Sequence, residues 1–418
     1  MRTSRVLPLC LSLLVAASCG PAEVPTESEE DLVARARGIH ARAITIDTHD
    51  DIGANFATPE VDPLNADRQV NLEKMRAGGL DVAFFAVYVG QGERTPEGYA
   101  AAQESARGKF EAIHRMAEQM YPDRIEIAYS PADVERIVGA GKLVAAIGME
   151  NGYMIGKDLS LLKTYYDLGG RYLTLSHSGH NDICDSATPR QGEPAEEHGG
   201  LSAFGEQVIA EMNRLGIIVD ISHTSDNAQL EAMSVSKAPV IASHSSTRAL
   251  ADVPRNMSDQ ALQALKVNGG VIQMVALGSY VKTRPEFDAG RQALMTELGI
   301  TRRSDLQNLS EEQRATYQTR LDSLAAQYPA ATVQDYVNHI DYAVKLIGID
   351  HVGISSDFDG GGGVVGFGDA SEALNVTLEL VRRGYTEEDI AKLWGGNLLR
   401  VWREVELVAG EARAAPAS

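Results

Sequence analysis

Cysteine is scarce in this chain: three in 418 residues cannot staple a fold of this length, and a disulfide framework is excluded. Positive charge is also in deficit. Thirty-eight basic against 58 acidic side chains leave a formal net charge of −20. A nucleic-acid binder needs a basic face to displace counterions from phosphate, so that class is set aside. The apolar run from Val6 to Ala17 is too short, at about twelve residues, to cross a bilayer as a helix. No Gly-x-Ser-x-Gly elbow is present, and the run "GGGGVVGFG" (360–368) lacks the Lys-Ser/Thr of a phosphate loop. Cys184 is a lone loop thiol with no partner for nucleophilic work. What remains, 44% hydrophobic and 23% charged, is the make-up of a globular chain. Its length suits two or three domains, or one α/β barrel.

At the N-terminus, Arg2 and Arg5 precede the apolar run, and small residues then lead to Cys19. This is the order of a secretory signal. The stretch "VAASCG" (15–20) resembles a bacterial lipobox, with Ala16 where leucine is usual. The expectation is removal of residues 1–18, lipidation of Cys19, and export to the cell envelope, with the membrane touched only through the lipid. The Pro/Glu/Ser-rich segment that follows reads as a flexible tether over 19–35.

From Ala43 onward, short β-branched runs alternate with amphipathic segments. Eight runs stand out: 44–47, 82–89, 143–149, 172–176, 216–222, 239–243, 270–277 and 351–356. They are apolar on both faces, as strands inside a parallel sheet are. Eight strands with helical connections fit a (β/α)8 TIM-type barrel or a doubly wound open sheet. The placement of polar residues favours the barrel: Asp47 to Asp51, Glu150, His177, His223, His244 and Asp357 all close a strand, and a barrel gathers strand ends at one mouth. The barrel is expected over 36–408, with a disordered tail over 409–418. Residues 279–332 form a helical insertion in a late βα loop, either a lid or a solvated ornament. The segment 386–406 is expected as a capped helix pair closing the barrel.

Several strand-end residues have metal-ligand chemistry. His49 and Asp51, two apart on an extended segment, point to one side and could chelate one ion. His223, His244 and Glu150 add imidazole and carboxylate groups of the kind that zinc accepts, as do manganese and cobalt. Asp357 could bind metal or move a proton. Asp359 reads as a turn residue. His40, His114, His198, His339 and His351 read as structural, and His180 is undecided.

The ordered set "DTHDD" (47–51), "GMENG" (148–152), "RYLTLSHS" (171–178), "DISHTS" (220–225), "PVIASHSS" (239–246), "RNMSD" (255–259) and "DHVGISSDFDG" (350–360) resembles the membrane (renal-type) dipeptidase family of zinc metallopeptidases. The likeness ends on "WGGNLLRV" (394–401). The resemblance implies a (β/α)8 barrel with two zinc ions per chain acting on small dipeptides through a metal-bridging hydroxide. It implies that His49 and Asp51 hold one ion, that His223 and His244 hold the other, and that Glu150 bridges them. His177 would bind substrate and steady the oxyanion, Arg255 would hold the terminal carboxylate, and Asp357 would bind substrate and shuttle the proton. L-Xaa–Xaa dipeptides with tolerance of a D-residue at the second position are the expected substrates. Two departures touch the pocket walls: Tyr153 stands where a histidine is common, and "MVALGSY" (274–280) lacks an aromatic pattern of some members. The alternative is a metal-dependent amidohydrolase acting on a cyclic or N-acylated amide, and Arg255 discriminates the two. A homodimer is left open.

Overall fold

The computed structural model describes residues 27–301 and 303–414. Its sheet contains β1 (Ile46–Asp51), β2 (Val82–Tyr88), β3 (Ile125–Ile127), β4 (Leu143–Glu150), β5 (Gly170–Thr174), β6 (Ile218–Asp220), β7 (Ile241–Ser245), β8 (Val271–Val275) and β9 (Val352–Ser355). All pairings are parallel, in the order β1-β2-β4-β5-β6-β7-β8-β9, and β3 adds to β4 off that path. The last strand returns to the first. Asp51 donates its N–H to the Phe358 carbonyl at 2.9 Å, and Ser356 donates to the Asp47 carboxylate at 2.9 Å. Eight strands therefore form a nearly closed barrel with helices between them, the expected (β/α)8 architecture. β3, three residues long, was not legible beforehand.

Alternate strand residues explain why both faces are apolar. Ile46, Phe84, Val144, Ile218 and Ile241 turn inward and cluster with Leu398, Trp402 and Val405 of the C-terminal helix Asn397–Ala414. Their neighbours, such as Ala83, Phe85 and Val87, belong to the shell beneath the surrounding helices. The Trp402 ring lies 5.8 Å from Phe84, which lies 5.6 Å from Tyr172. An aromatic stack thus fills the barrel from its base, and polar groups are left to the opposite end.

Two boundaries differ from the sequence reading. The tether was drawn through residue 35, but Glu29–His40 is a helix. Ser28 caps it, Glu29, Glu30 and Asp31 complement its dipole, and Ala36 and Ile39 are buried. The disordered tail was drawn from 409, but the last helix continues to Ala414. The expected signal, Cys19 and the first part of the tether fall at residues 1–26, outside the described residues. The insertion contains helices Pro285–Glu297 and Glu311–Gln327, the second with the Ser310/Gln313 capping box and no buried residue. Among the described residues, no helix is long and apolar enough to cross a membrane.

Candidate metal centre

Six strand ends deliver their side chains to one point. His49 and Asp51 come from β1, Glu150 from the last position of β4, and His244 from within β7. His177, His223 and Asp357 lie two or three residues beyond β5, β6 and β9. Glu150 stands in the middle: one carboxylate oxygen is 3.4 Å from His49 Nε2, and the other is 3.0 Å from His223 Nε2 and 3.3 Å from His244 Nε2. Asp51 is 3.7 Å from His49 Nε2, and His177 Nε2 is 3.9 Å from Glu150. Three sets have ligand atoms within 4.8 Å of one another: His49, Asp51 and Glu150; Glu150, His177 and His223; His49, His244 and Asp357. Every residue that the sequence reading proposed as a ligand is in this cluster.

A second layer fixes the tautomers. Tyr172 donates its hydroxyl to the Thr48 carbonyl at 3.1 Å, so its oxygen accepts from His49 Nδ1–H at 2.8 Å. His49 Nε2 is then the nitrogen turned toward Glu150 and Asp51, buried with no hydrogen-bond partner. Ser243 donates to Asp220 at 2.6 Å and accepts from His244 Nδ1–H at 2.8 Å, which leaves the His244 Nε2 lone pair facing His223 Nε2 at 2.8 Å. Lone pairs and a carboxylate crowded together repel, and a cation among them turns them into ligands.

The electrostatics agree with that demand. Burial disfavours a charged His49, yet Tyr172, Glu150 and Asp51 raise its pKa well above the usual imidazole value. Burial also works against ionised Glu150, but His49, His223 and His244 hold it well below the carboxylate range. Burial pushes His223 and His244 far down, so both rings are neutral donors. Asp357 goes the other way: burial, with Asp51 and Glu150 adding to it, lifts it well above its ordinary value.

The cluster floors a cavity of about 530 Å³ whose walls include Tyr88, Lys109, Arg255, Leu277 and Tyr280. Arg255 is buried, donates to the His244 carbonyl at 3.0 Å, and lies 5.4 Å from the Tyr280 ring centre. Tyr280 thus supplies an aromatic wall despite the unusual β8 ending. A larger groove of about 890 Å³, between the glycine run and the insertion, shares Leu277 but holds none of the clustered ligands.

The remaining histidines are otherwise engaged. His40, His114, His180, His198, His339 and His351 each hydrogen-bond a backbone carbonyl. Asp359 accepts from the Gln69 and Val70 N–H groups and pairs with Arg68 at 3.0 Å, as a turn residue does. Tyr153 hydrogen-bonds the Glu93 carbonyl and takes no part in the cavity wall. Sequence reasoning missed Tyr172, Ser243, Tyr88 and Lys109. The structure shows how Tyr172 is accommodated: Gly148, mid-strand in β4, leaves room for its ring, which a Cβ there would meet at 2.1 Å.

Residues 33–416 match the family model described as membrane dipeptidase (peptidase family M19). Dipeptidase aclJ of Aspergillus oryzae is 37% identical over 347 residues, 82% of this chain and 71% of that protein. Dipeptidase ataJ of Aspergillus terreus is 33% identical over 366 residues, covering 83% and 79%. The crystal structure of the probable dipeptidase PvdM from Pseudomonas aeruginosa superposes with a TM-score of 0.80 at 34% identity, over 91% of this chain and all of that one. With a buried carboxylate–imidazole cluster at the mouth of the same barrel, this chain belongs to the membrane dipeptidase family and is a metal-dependent dipeptidase of peptidase family M19.

Proposed function

We propose that the chain is a binuclear zinc dipeptidase that hydrolyses L-Xaa–Xaa substrates and tolerates a D-residue at the C-terminal position. The observation that carries this is the placement of Glu150, with one oxygen toward His49 and the other toward His223 and His244. His49 and Asp51 would hold one ion and His223 and His244 the second, with Glu150 between. Two such ions would supply Lewis-acid polarisation of the peptide carbonyl and an activated water as nucleophile.

The chain's own residues do the rest. Arg255 offers a guanidinium fork to the substrate's free carboxylate, and its Nε is buried without a partner. A fork that grips only the carboxylate does not read the hand of the neighbouring Cα, which is the basis for D-tolerance. It also argues against a cyclic amide, which has no such carboxylate. His177 Nε2 faces the centre and donates to the oxygen on which charge develops. Asp357, kept protonatable by burial, takes the proton from the attacking water and returns it to the leaving amine.

The test is a panel of L,L- and L,D-dipeptides, free and C-terminally amidated, assayed with and without chelator alongside metal analysis. Two equivalents of zinc, loss of turnover on chelation and poor cleavage of amidated substrates are expected. Chelator-resistant turnover, or indifference to amidation, refutes the proposal.

The same proposal carries the chain to the cell envelope through Cys19, supported by the Arg2–Cys19 pattern and tested by fatty-acid labelling of wild type against Cys19→Ala. Partners are small dipeptides, with no nucleic acid and no membrane contact beyond the lipid. Light scattering on the purified protein decides between monomer and homodimer.

A further inference from the structure

Lys109 lies on the helix Pro96–His114 that follows β2, and it lines the same cavity as the metal cluster. It is only 8% exposed. Its ammonium sits 5.3 Å from the centre of the Tyr88 ring, and the Tyr88 and His177 rings are 4.7 Å apart. Among the described residues, no carboxylate comes within ion-pair distance of Lys109 and no hydrogen bond engages it. Arg68, the neighbouring cation in this wall, is already committed: it pairs with Asp359 and donates to the Asp51 carbonyl. A buried ammonium whose one close partner is a ring face is incompletely solvated, and a ligand anion would complete its shell. Burial accordingly lowers its pKa, with Asp51 and Glu150 pulling it partly back.

The position of Lys109 around the barrel says which part of a substrate it meets. In the strand order β1-β2-β4-β5-β6-β7-β8-β9, β2 and β7 are four places apart, on opposite sides of the mouth. Tyr88 ends β2, and Arg255 follows β7. A dipeptide anchored at Arg255 by its C-terminal carboxylate and cleaved at the central cluster therefore extends its amino-terminal residue toward Tyr88 and Lys109. We infer that Lys109 is a specificity-determining residue that selects dipeptides with an acidic side chain on the amino-terminal residue. The inference rests on the dipeptidase reading of the site. The aliphatic part of such a side chain packs on Tyr88, and its carboxylate accepts from the Lys109 ammonium.

The experiment measures kcat/KM for Glu-Ala, Asp-Ala and Leu-Ala with the zinc-loaded full chain, for wild type, Lys109→Met and Lys109→Arg. Methionine keeps an unbranched stem and removes the charge. In Lys109→Met, kcat/KM for Glu-Ala or Asp-Ala should fall ~10- to 100-fold, mainly through KM, while Leu-Ala stays within ~3-fold. Lys109→Arg should keep the acidic preference. An equal loss on Leu-Ala and the acidic substrates, or wild type that turns over Leu-Ala at least tenfold better than either, overturns the inference and leaves the dipeptidase reading standing. No cleavage of any of the three by zinc-loaded wild type overturns both. Should Lys109→Met fail to fold, as judged by its thermal melt, Lys109→Gln carries the same comparison with the same two outcomes.

Discussion

Asp357 occupies the left-handed region with φ +61°, and His223 does so with φ +67°. Such positions cost of order 1–3 kcal/mol each and persist where the surroundings fix them. Asparagine tolerates that region, so Asp357→Asn changes the chemistry while sparing the backbone. It should keep its zinc by elemental analysis and lose ~10²–10⁴-fold in kcat, and near-normal turnover would remove Asp357 from proton transfer. Tyr172→Phe removes the oxygen that accepts from His49 Nδ1–H while keeping the ring. Competition with a zinc indicator should show affinity ~10- to 100-fold weaker, and an unchanged constant would leave the tyrosine a merely structural role.

His339 behaves differently because its wiring requires a neutral ring. Nδ1 accepts the Thr247 N–H at 3.2 Å, and Nε2–H donates to the Val281 carbonyl at 2.9 Å. Burial depresses its pKa. As pH falls, the unfolded chain therefore takes up this proton first. The stabilisation is complete above the unfolded value of ~6.5 and is lost below it. Urea denaturation should find His339→Leu ~2 kcal/mol less stable than wild type at pH 7.5, with the gap narrowing toward pH 5. A gap independent of pH would show that the ring acts by packing alone. The ligand residues were legible because strand-end His, Asp and Glu are unusual in apolar runs. Their supports were not, since a tyrosine in "RYLTLS" looks like any buried strand residue until the strand opposite is known.

Elements set how precisely these residues are held. The helix Asn397–Ala414 closes the barrel base and carries Trp402 beneath Phe84, which in turn lies against Tyr172. The metal layer thus rests on an aromatic column that starts at the other end of the molecule. Trp402→Ala should lower stability by ~3–5 kcal/mol in urea denaturation, and a loss below ~1 kcal/mol would mean that the base tolerates the void. The eight barrel strands could be read from runs apolar on both faces, because helices cover one side and the column fills the other. β3 escaped because three residues carry no period. The helix Glu29–His40 escaped because its cap and first acidic turn lie in a segment whose proline and glutamate content signals a tether. Its apolar residues are few, and their partner, the helix Ala373–Arg382, lies more than three hundred residues away in sequence.

At the scale of the whole molecule, the proposed ligands are a cross-brace. His49 and Asp51 come from β1, Glu150 from β4, His223 from beyond β6 and His244 from β7, so bound ions would tie β1, β4 and the paired β6 and β7 together across the strands that lie between them. Without ions, the same groups are lone pairs and carboxylates held together by the surrounding barrel. The unfolded chain separates these residues by up to nearly two hundred positions and offers no preformed site, so metal binding adds directly to folding stability. At a free zinc concentration one hundred times Kd, each site contributes ~2.7 kcal/mol, or a Tm shift of ~3 °C for a domain of this size. Dialysis against a chelator should therefore lower Tm by at least that much and abolish dipeptide turnover, and zinc should restore both. Activity lost without a change in Tm would indicate ions held too loosely to brace the barrel. An unchanged Tm with full activity would mean that the cluster serves some purpose other than metal binding.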